Sequence, residues 1–200
     1  MNVQATLPGV TGTQNVRLSQ WFTERKTAER IVEFALRTWP GGRNPTILEP
    51  SCGNGSLLRV MLEHGLQRDI TAIDIDPELA EHCKRYVPRV MCADFLEWDP
   101  TDHFDIAIMN PPFEDGQTES HILKALTCCT HVVCHGPLTT LATVERGKNL
   151  WAKVDMPRLA ICSSRPKYGA KGGATDMMTV EVLTRDPRLE RVETTVEWWP

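Results

Sequence analysis

No apolar run in these 200 residues approaches the length that crosses a bilayer. The first twenty residues also lack the basic-then-apolar pattern of a secretory leader. Both absences point to a cytoplasmic chain with no membrane partner. No Cys-x-x-Cys pair occurs. The seven cysteines (52, 83, 92, 128, 129, 134 and 162) are an odd, scattered set in mostly apolar surroundings, which suits buried free thiols in a reducing compartment. His131, Cys134 and His135 fall in a predicted strand, where alternate side chains face opposite ways, so no metal centre is expected. Gly-Lys followed by Ser or Thr is missing, which removes the P-loop reading of any glycine-rich turn.

What is present is ordinary in amount and uneven in placement. Apolar residues make up 41% and charged residues 24% of the chain, as in a single globular domain with its own core. One domain over residues 1–200 is expected, with residues 1–15 flexible and no linker or repeat. The net charge of −4 does not advertise nucleic-acid binding over the whole surface. From Glu145 to Lys171, however, seven basic residues (Arg146, Lys148, Lys153, Arg158, Arg165, Lys167, Lys171) stand against two acids. Such a run is a solvated face by default, but here it makes phosphate contact through 146–171 an expectation.

The hydrophobic pattern alternates strands and helices. A helix is predicted over Ser19–Thr38 with Thr23 as its N-cap, stopped by Pro40-Gly41-Gly42. Strands follow at 46–49, 70–75, 89–93, 104–109 and 131–134, with helices at 56–64, 77–86 and 119–128 between them. Residues 139–148 are predicted helical. Two late strands, 158–164 and 177–184, flank a glycine-rich loop. This is the pattern of an α/β protein: a Rossmann-like, doubly wound, mostly parallel seven-stranded sheet with an antiparallel edge strand.

The most telling segment is Asn110-Pro111-Pro112-Phe113. It follows the apolar strand 104–109, so it sits where a parallel strand ends and ligands bind in open sheets. Two prolines fix the backbone and donate no N–H, which leaves their carbonyls as acceptors. An amide and an aromatic ring flank them. The set suits a planar NH₂ group on an aromatic ring, although Asn-Pro is also a common turn starter.

Glu49-Pro50-Ser51-Cys52-Gly53-Asn54-Gly55 follows the first strand. Gly53 and Gly55 allow a tight turn and close backbone approach. Leu58 stands where a dinucleotide fingerprint needs a third small residue, and Glu49 would repel phosphate and suit a cation. Asp74 lies nineteen residues beyond Gly55, where a carboxylate can accept ribose hydroxyls. Ile75 can pack on a purine and Asp76 caps the helix begun by Pro77. Asp94 can accept from an adenine amine, with Phe95 against the ring. Three acids at three successive strand ends describe a ligand with a cationic end, a ribose and an adenine, but no phosphate. S-adenosylmethionine has those parts.

With these motifs in this order the chain resembles the Rossmann-type, class I S-adenosylmethionine-dependent methyltransferases. It is most similar to small adenine-N6 DNA methyltransferases whose cofactor motif precedes Asn-Pro-Pro-aromatic. The resemblance spans roughly residues 20–185. Residues 47–55 resemble the family's cofactor loop, Ala72 to Pro77 its ribose segment, and Cys92 to Leu96 its adenine segment. Trp21-Phe22-Thr23 resembles the N-terminal cofactor-contact motif, and Arg165-Pro166-Lys167-Tyr168-Gly169 a segment of small phage-type members. The resemblance implies S-adenosylmethionine as cofactor, held by Thr23 (near the methionine moiety), Glu49, Pro50, Ser51, Cys52, Gly53, Gly55, Asp74, Ile75, Asp94, Phe95 and Asn110. It implies Asn110, Pro111, Pro112 and Phe113 as the catalytic set, DNA as acceptor with RNA as the alternative, and no metal. A chain of this size has no room for the separate target-recognition domain of larger relatives. A protein partner or a second copy would then supply target recognition. Asn-Pro-Pro-aromatic loops also serve RNA amines and protein glutamine amides, and the fold can serve as a non-catalytic subunit; the motif alone does not choose.

Overall fold

Apolar residues recur every three to four positions from Arg25 onward, and that segment is helix α1 (Arg25–Thr38), burying Ala28, Ile31, Val32, Phe34 and Ala35. The computed structural model describes residues 22–41, 44–66, 69–163, 176–184, 190 and 192–200. The expected loose N-terminus, the glycine-rich loop and Arg165 to Gly169 lie outside the described residues. Helix α1 begins at Arg25, six residues later than its pattern predicts. Its N-cap is Glu24, which makes no side-chain cap, and the hydroxyl of Thr23, the predicted cap, instead accepts from Asn110 Nδ2.

Short β-branched and apolar runs form β1 (Ile47–Glu49), β2 (Ile70–Asp74), β3 (Arg89–Cys92), β4 (Phe104–Met109), β5 (Cys129–Pro137), β6 (Val154–Cys162), β7 (Met177–Thr184) and β8 (Thr195–Trp199). Between them run α2 (Ser56–Glu63), α3 (Pro77–Cys83) and α4 (Gln117–Ala125). The sheet order is β3-β2-β1-β4-β5-β7-β6-β8. β1 to β5 pair in parallel, β7 is antiparallel to β5 and β6, and β8 is parallel to β6. The doubly wound, mostly parallel class is as expected, with eight strands rather than seven.

The added strand explains the C-terminal tryptophans. Trp199 is buried edge-on against Phe34 with ring centroids 5.8 Å apart, while Trp198 is exposed. Glu197, just before them, takes a two-pronged pair from Arg37 of α1, 2.8 Å at its shorter arm. The predicted helix over 139–148 is instead a 3₁₀ turn (Leu138–Leu141), a single α-turn (Val144–Arg146) and a π-turn (Gly147–Trp151). Thr143, with φ +99°, breaks it. Among the described residues no helix is long and apolar enough to cross a membrane.

The core lies on both faces of the sheet. Ile47, Ile70, Ile106 and Ile108 pack with α1 and α2, whereas Leu48, Ile73, Ala107 and Met109 pack with α4. This is the alternation of a strand buried on both sides. The strand order reverses between β1 and β4, so the two outgoing chains part there and leave a crevice.

Candidate active site

The crevice begins where β1 ends. Cys52 N donates to Ile73 O at 2.9 Å, which turns the chain across the top of β2. Gly53 has φ +53° and its N–H donates to Asp74 Oδ2 at 2.7 Å. Gly55 has φ +75°, and a methyl group there would come within 2.7 Å of the Tyr86 ring. Gly55 therefore serves the packing of the loop on the α3 region and does not line the cavity. Asn54 Oδ1 takes over as cap for α2, accepting from Ser56 N and Oγ.

At the second strand end Asp74 is buried, and its other oxygen accepts from Asp76 N at 2.9 Å. Burial pushes its carboxyl up, against the two backbone N–H groups that pull it down. Asp76 caps α3 as predicted, through Glu78 N and Leu79 N. Asp94 Oδ1 accepts from Leu96 N at 2.9 Å. Ile75 is 56% exposed, a large apolar side chain turned to the mouth of the crevice. Phe95 is buried with the His121 ring 5.5 Å away, tilted 37°. His121 Nδ1 lies 2.8 Å from Gln117 O, and burial pushes its pKa down.

At the fourth strand end Asn110 Nδ2 donates to Thr23 Oγ1 at 2.8 Å. Asn110 Oδ1 is buried without a hydrogen-bond partner. The two proline carbonyls, expected to be free together, differ: Thr118 Oγ1 donates to Pro112 O at 3.1 Å, while both prolines line the crevice. Phe113 is half-buried and heads a 3₁₀ turn (Glu114–Gly116); it does not line the cavity. Asp115 in that turn holds a left-handed φ of +50°, a conformation that costs an ordinary residue and that clusters at functional sites.

These parts enclose a cavity of about 340 Å³, joined by shared walls to an annex of about 20 Å³. Asp74, Asp94, Glu114 and Asp115 line the cavity with no lysine or arginine among the described residues. Glu49, Ser51, Cys52 and Thr23 line the annex, and Asn110 belongs to both. Glu49 is 1% exposed; burial, with Cys83 and Asp74 nearby, holds its carboxyl well above the usual range. Glu49 Oε2, Ser51 Oγ and Asn110 Oδ1 are buried polar atoms with no hydrogen-bond partner among the described residues. Such atoms are costly unless something fills them. Three acceptors and an acidic wall fit a cationic, donor-rich ligand and disfavour a phosphate.

Thirteen of the fifteen predicted residues thus meet around one cavity and its annex, Gly55 standing behind it and Phe113 outside its lining. Phe22, Ala93, Glu114, Asp115, Gln117 and His121 also line it and were not singled out. Phe22 sits inside a recognised motif, and Asp115-Gly116 is a turn dipeptide; His121 carries no sequence signal beyond its helix. Among the described residues the basic run is spread over more than one part of the sheet. Arg146 donates to Thr139 O and lies 3.7 Å from Glu119, Arg158 lies mid-strand 3.8 Å from Glu181, and Lys153 precedes β6 at the opposite end from the crevice. Arg165, Lys167 and Lys171 are outside the described residues, but Ser163 and Asp176, which flank them, stand at the crevice end of β6 and β7.

Residues 47–136 match a methyltransferase domain family, a segment that holds the glycine loop, Asp74, Asp94 and Asn110 to Phe113. A tRNA1(Val) (adenine(37)-N6)-methyltransferase of Vibrio cholerae is 36% identical over 100 residues, 45% of this chain and 42% of that protein. A type II methyltransferase of Thermus thermophilus is 30% identical over 106 residues, 50% of this chain and 24% of that one. The chain spans less than half the length of these curated relatives. The type I restriction-modification methyltransferase subunit of Streptococcus thermophilus superposes with a TM-score of 0.67 at 16% identity, over 88% of this chain and 47% of that one.

Proposed function

We propose that this chain, which carries a methyltransferase domain on a class I methyltransferase sheet, transfers a methyl group from S-adenosylmethionine to the exocyclic amine of a nucleobase, adenine N6 in DNA first. The observation that carries the reading is the orphaned Asn110 Oδ1 at the switch point, beside two further unpartnered acceptors. Glu49 and Ser51 would hold the cationic amino-acid end. Asp74, whose oxygens each keep a lone pair beyond their backbone bonds, would take the ribose hydroxyls. Ile75, Asp94 and Phe95 would take the adenine. Bound S-adenosylmethionine would supply a methyl carbon activated by a sulfonium charge.

The chain's own part is orientation. Asn110 Oδ1 and Pro111 O accept the two N–H bonds of a planar amine, which draws its nitrogen toward a tetrahedral shape and frees the lone pair. Both acceptors are fixed in advance, one by Thr23 and one by the proline ring. The nitrogen loses its proton only after it has become cationic, so no strong base is required. Phe113, which follows the two prolines, would stack on the base drawn out of its helix. Arg165, Lys167 and Lys171 would contact phosphate. A protein partner or a second copy would supply target recognition.

RNA is the second reading, favoured by the 36% identity to a protein named as a tRNA adenine methyltransferase. Incubating the purified chain with methyl-labelled S-adenosylmethionine and unmethylated DNA or tRNA, then resolving nucleosides by mass spectrometry, tests both. N6-methyldeoxyadenosine is expected. Label only in tRNA moves the acceptor to RNA, and label in neither refutes the reading.

A further inference from the structure

We propose that Thr23 is a positioning residue for methyl transfer, acting through Asn110 rather than on the cofactor. The inference rests on Asn110 being the amine acceptor and adds the group that aims it. Thr23 is 8% exposed and its Oγ1 receives the Asn110 Nδ2 proton at 2.8 Å, across 87 positions of sequence. The same side chain stands one residue before a helix N-cap that has no side-chain cap of its own. A threonine at a helix start ordinarily spends its hydroxyl on the free N–H groups of the first turn. Here the hydroxyl is turned away from that use and spans to β4, while Phe22 beside it lines both the cavity and the annex.

The consequence is geometric. An asparagine amide has a broad torsion about its last bond, and Asn110 Oδ1 has no other partner to hold it. With Nδ2 anchored to the segment before α1, the amide plane is fixed and Oδ1 keeps one direction. Without that anchor the amide can turn its NH₂ toward the acceptor amine, donor facing donor, and the productive arrangement becomes one of several. Thr23 thereby ties the start of α1 to the catalytic loop.

Thr23→Val removes the hydroxyl at nearly constant volume, and Thr23→Ser keeps it. Misaiming of a catalytic group of this kind is expected to lower kcat about tenfold in Thr23→Val, with the S-adenosylmethionine Kd by calorimetry within about twofold of wild type and Thr23→Ser recovering most of the rate. A cofactor contact would instead raise Kd and leave kcat at saturation nearly unchanged, and that outcome overturns the proposal. A second readout needs neither turnover nor a foldable variant. In ¹⁵N-labelled wild-type protein the two Asn110 side-chain amide protons should be well separated in shift, and the one facing Thr23 should exchange slowly with solvent. Averaged, fast-exchanging protons would overturn the contact even if methylation were observed. If no planar amine were methylated by the wild type while the amide stayed protected, the proposed function would fail and the contact would stand.

Discussion

The two ends of the cavity treat their polar atoms in opposite ways. At the Asp74 end both carboxylate oxygens are occupied by backbone N–H groups of Gly53 and Asp76, and Asp94 is tied to Leu96 N. At the Glu49 end three acceptors are buried with nothing to accept from. The first end is complete by itself and holds the loop. The second is held open by the surrounding fold at a cost to its own stability, which is the arrangement expected where a ligand finishes the hydrogen bonding.

Removing a group from each end sharpens the contrast. Asn110→Ala should lower turnover about 10²–10³-fold, the usual loss for one preorganised polar group, with a stability loss of only about 1 kcal/mol, that of the single bond from Nδ2 to Thr23 Oγ1, since Oδ1 has no partner to strand. Steady-state rates with saturating cofactor and a melting curve measure both, and a matching collapse of stability would break the contrast. Asp74→Ala should do the reverse: it strands the Gly53 and Asp76 N–H groups, at about 1–3 kcal/mol, and unsettles the loop. Denaturant unfolding of the cofactor-free protein should show it. Unchanged stability would mean that the Asp74 end is not self-sufficient.

Glu49→Gln gives the smallest shift and an unusual sign. Glu49 binds its proton more tightly when folded than when unfolded. Its contribution to stability is therefore full below the ordinary carboxylate pKa and is lost as pH rises through the higher folded value. The glutamine variant escapes that loss, so at neutral pH it should melt above wild type while both lack cofactor. His135, pulled down to about 3 by burial, acts oppositely and destabilises both proteins alike in acid. Melting curves from pH 4 to pH 8 would test this, and a glutamine variant that melts below wild type throughout would contradict it.

Much of the Asp74 end was legible in the sequence and less of the rest. Gly53, Asp74, Asp76-Pro77 and Asp94 obey local rules: a turn needing positive φ, a strand-end acid, an N-cap before proline. Local rules show in short windows. Thr23 obeys the same rule on paper and breaks it in the fold, because its partner lies 87 positions away. Likewise the pattern over 139–148 is helical, yet the chain must descend from β5 to the start of β6 and does so in three short turns. β8 was missed because Val196 and Trp198 are exposed on an edge strand and Glu197 between them faces α1 as a charged partner of Arg37, which leaves no apolar alternation to read. Only Trp199 there is buried, and it depends on Phe34 of α1. Phe113 was placed with its motif, and its sequence position could not tell which side of the catalytic loop its ring would occupy.

The most direct measurement of the central claim is calorimetric titration of S-adenosylmethionine into the wild-type chain and into Glu49→Gln. The unfilled end predicts saturable binding of one molecule per wild-type chain, weakened about tenfold or more in the variant, a difference of about 1.4 kcal/mol. Absence of binding to the wild type, or equal affinity in the two proteins, would show that the three buried acceptors are not waiting for this ligand.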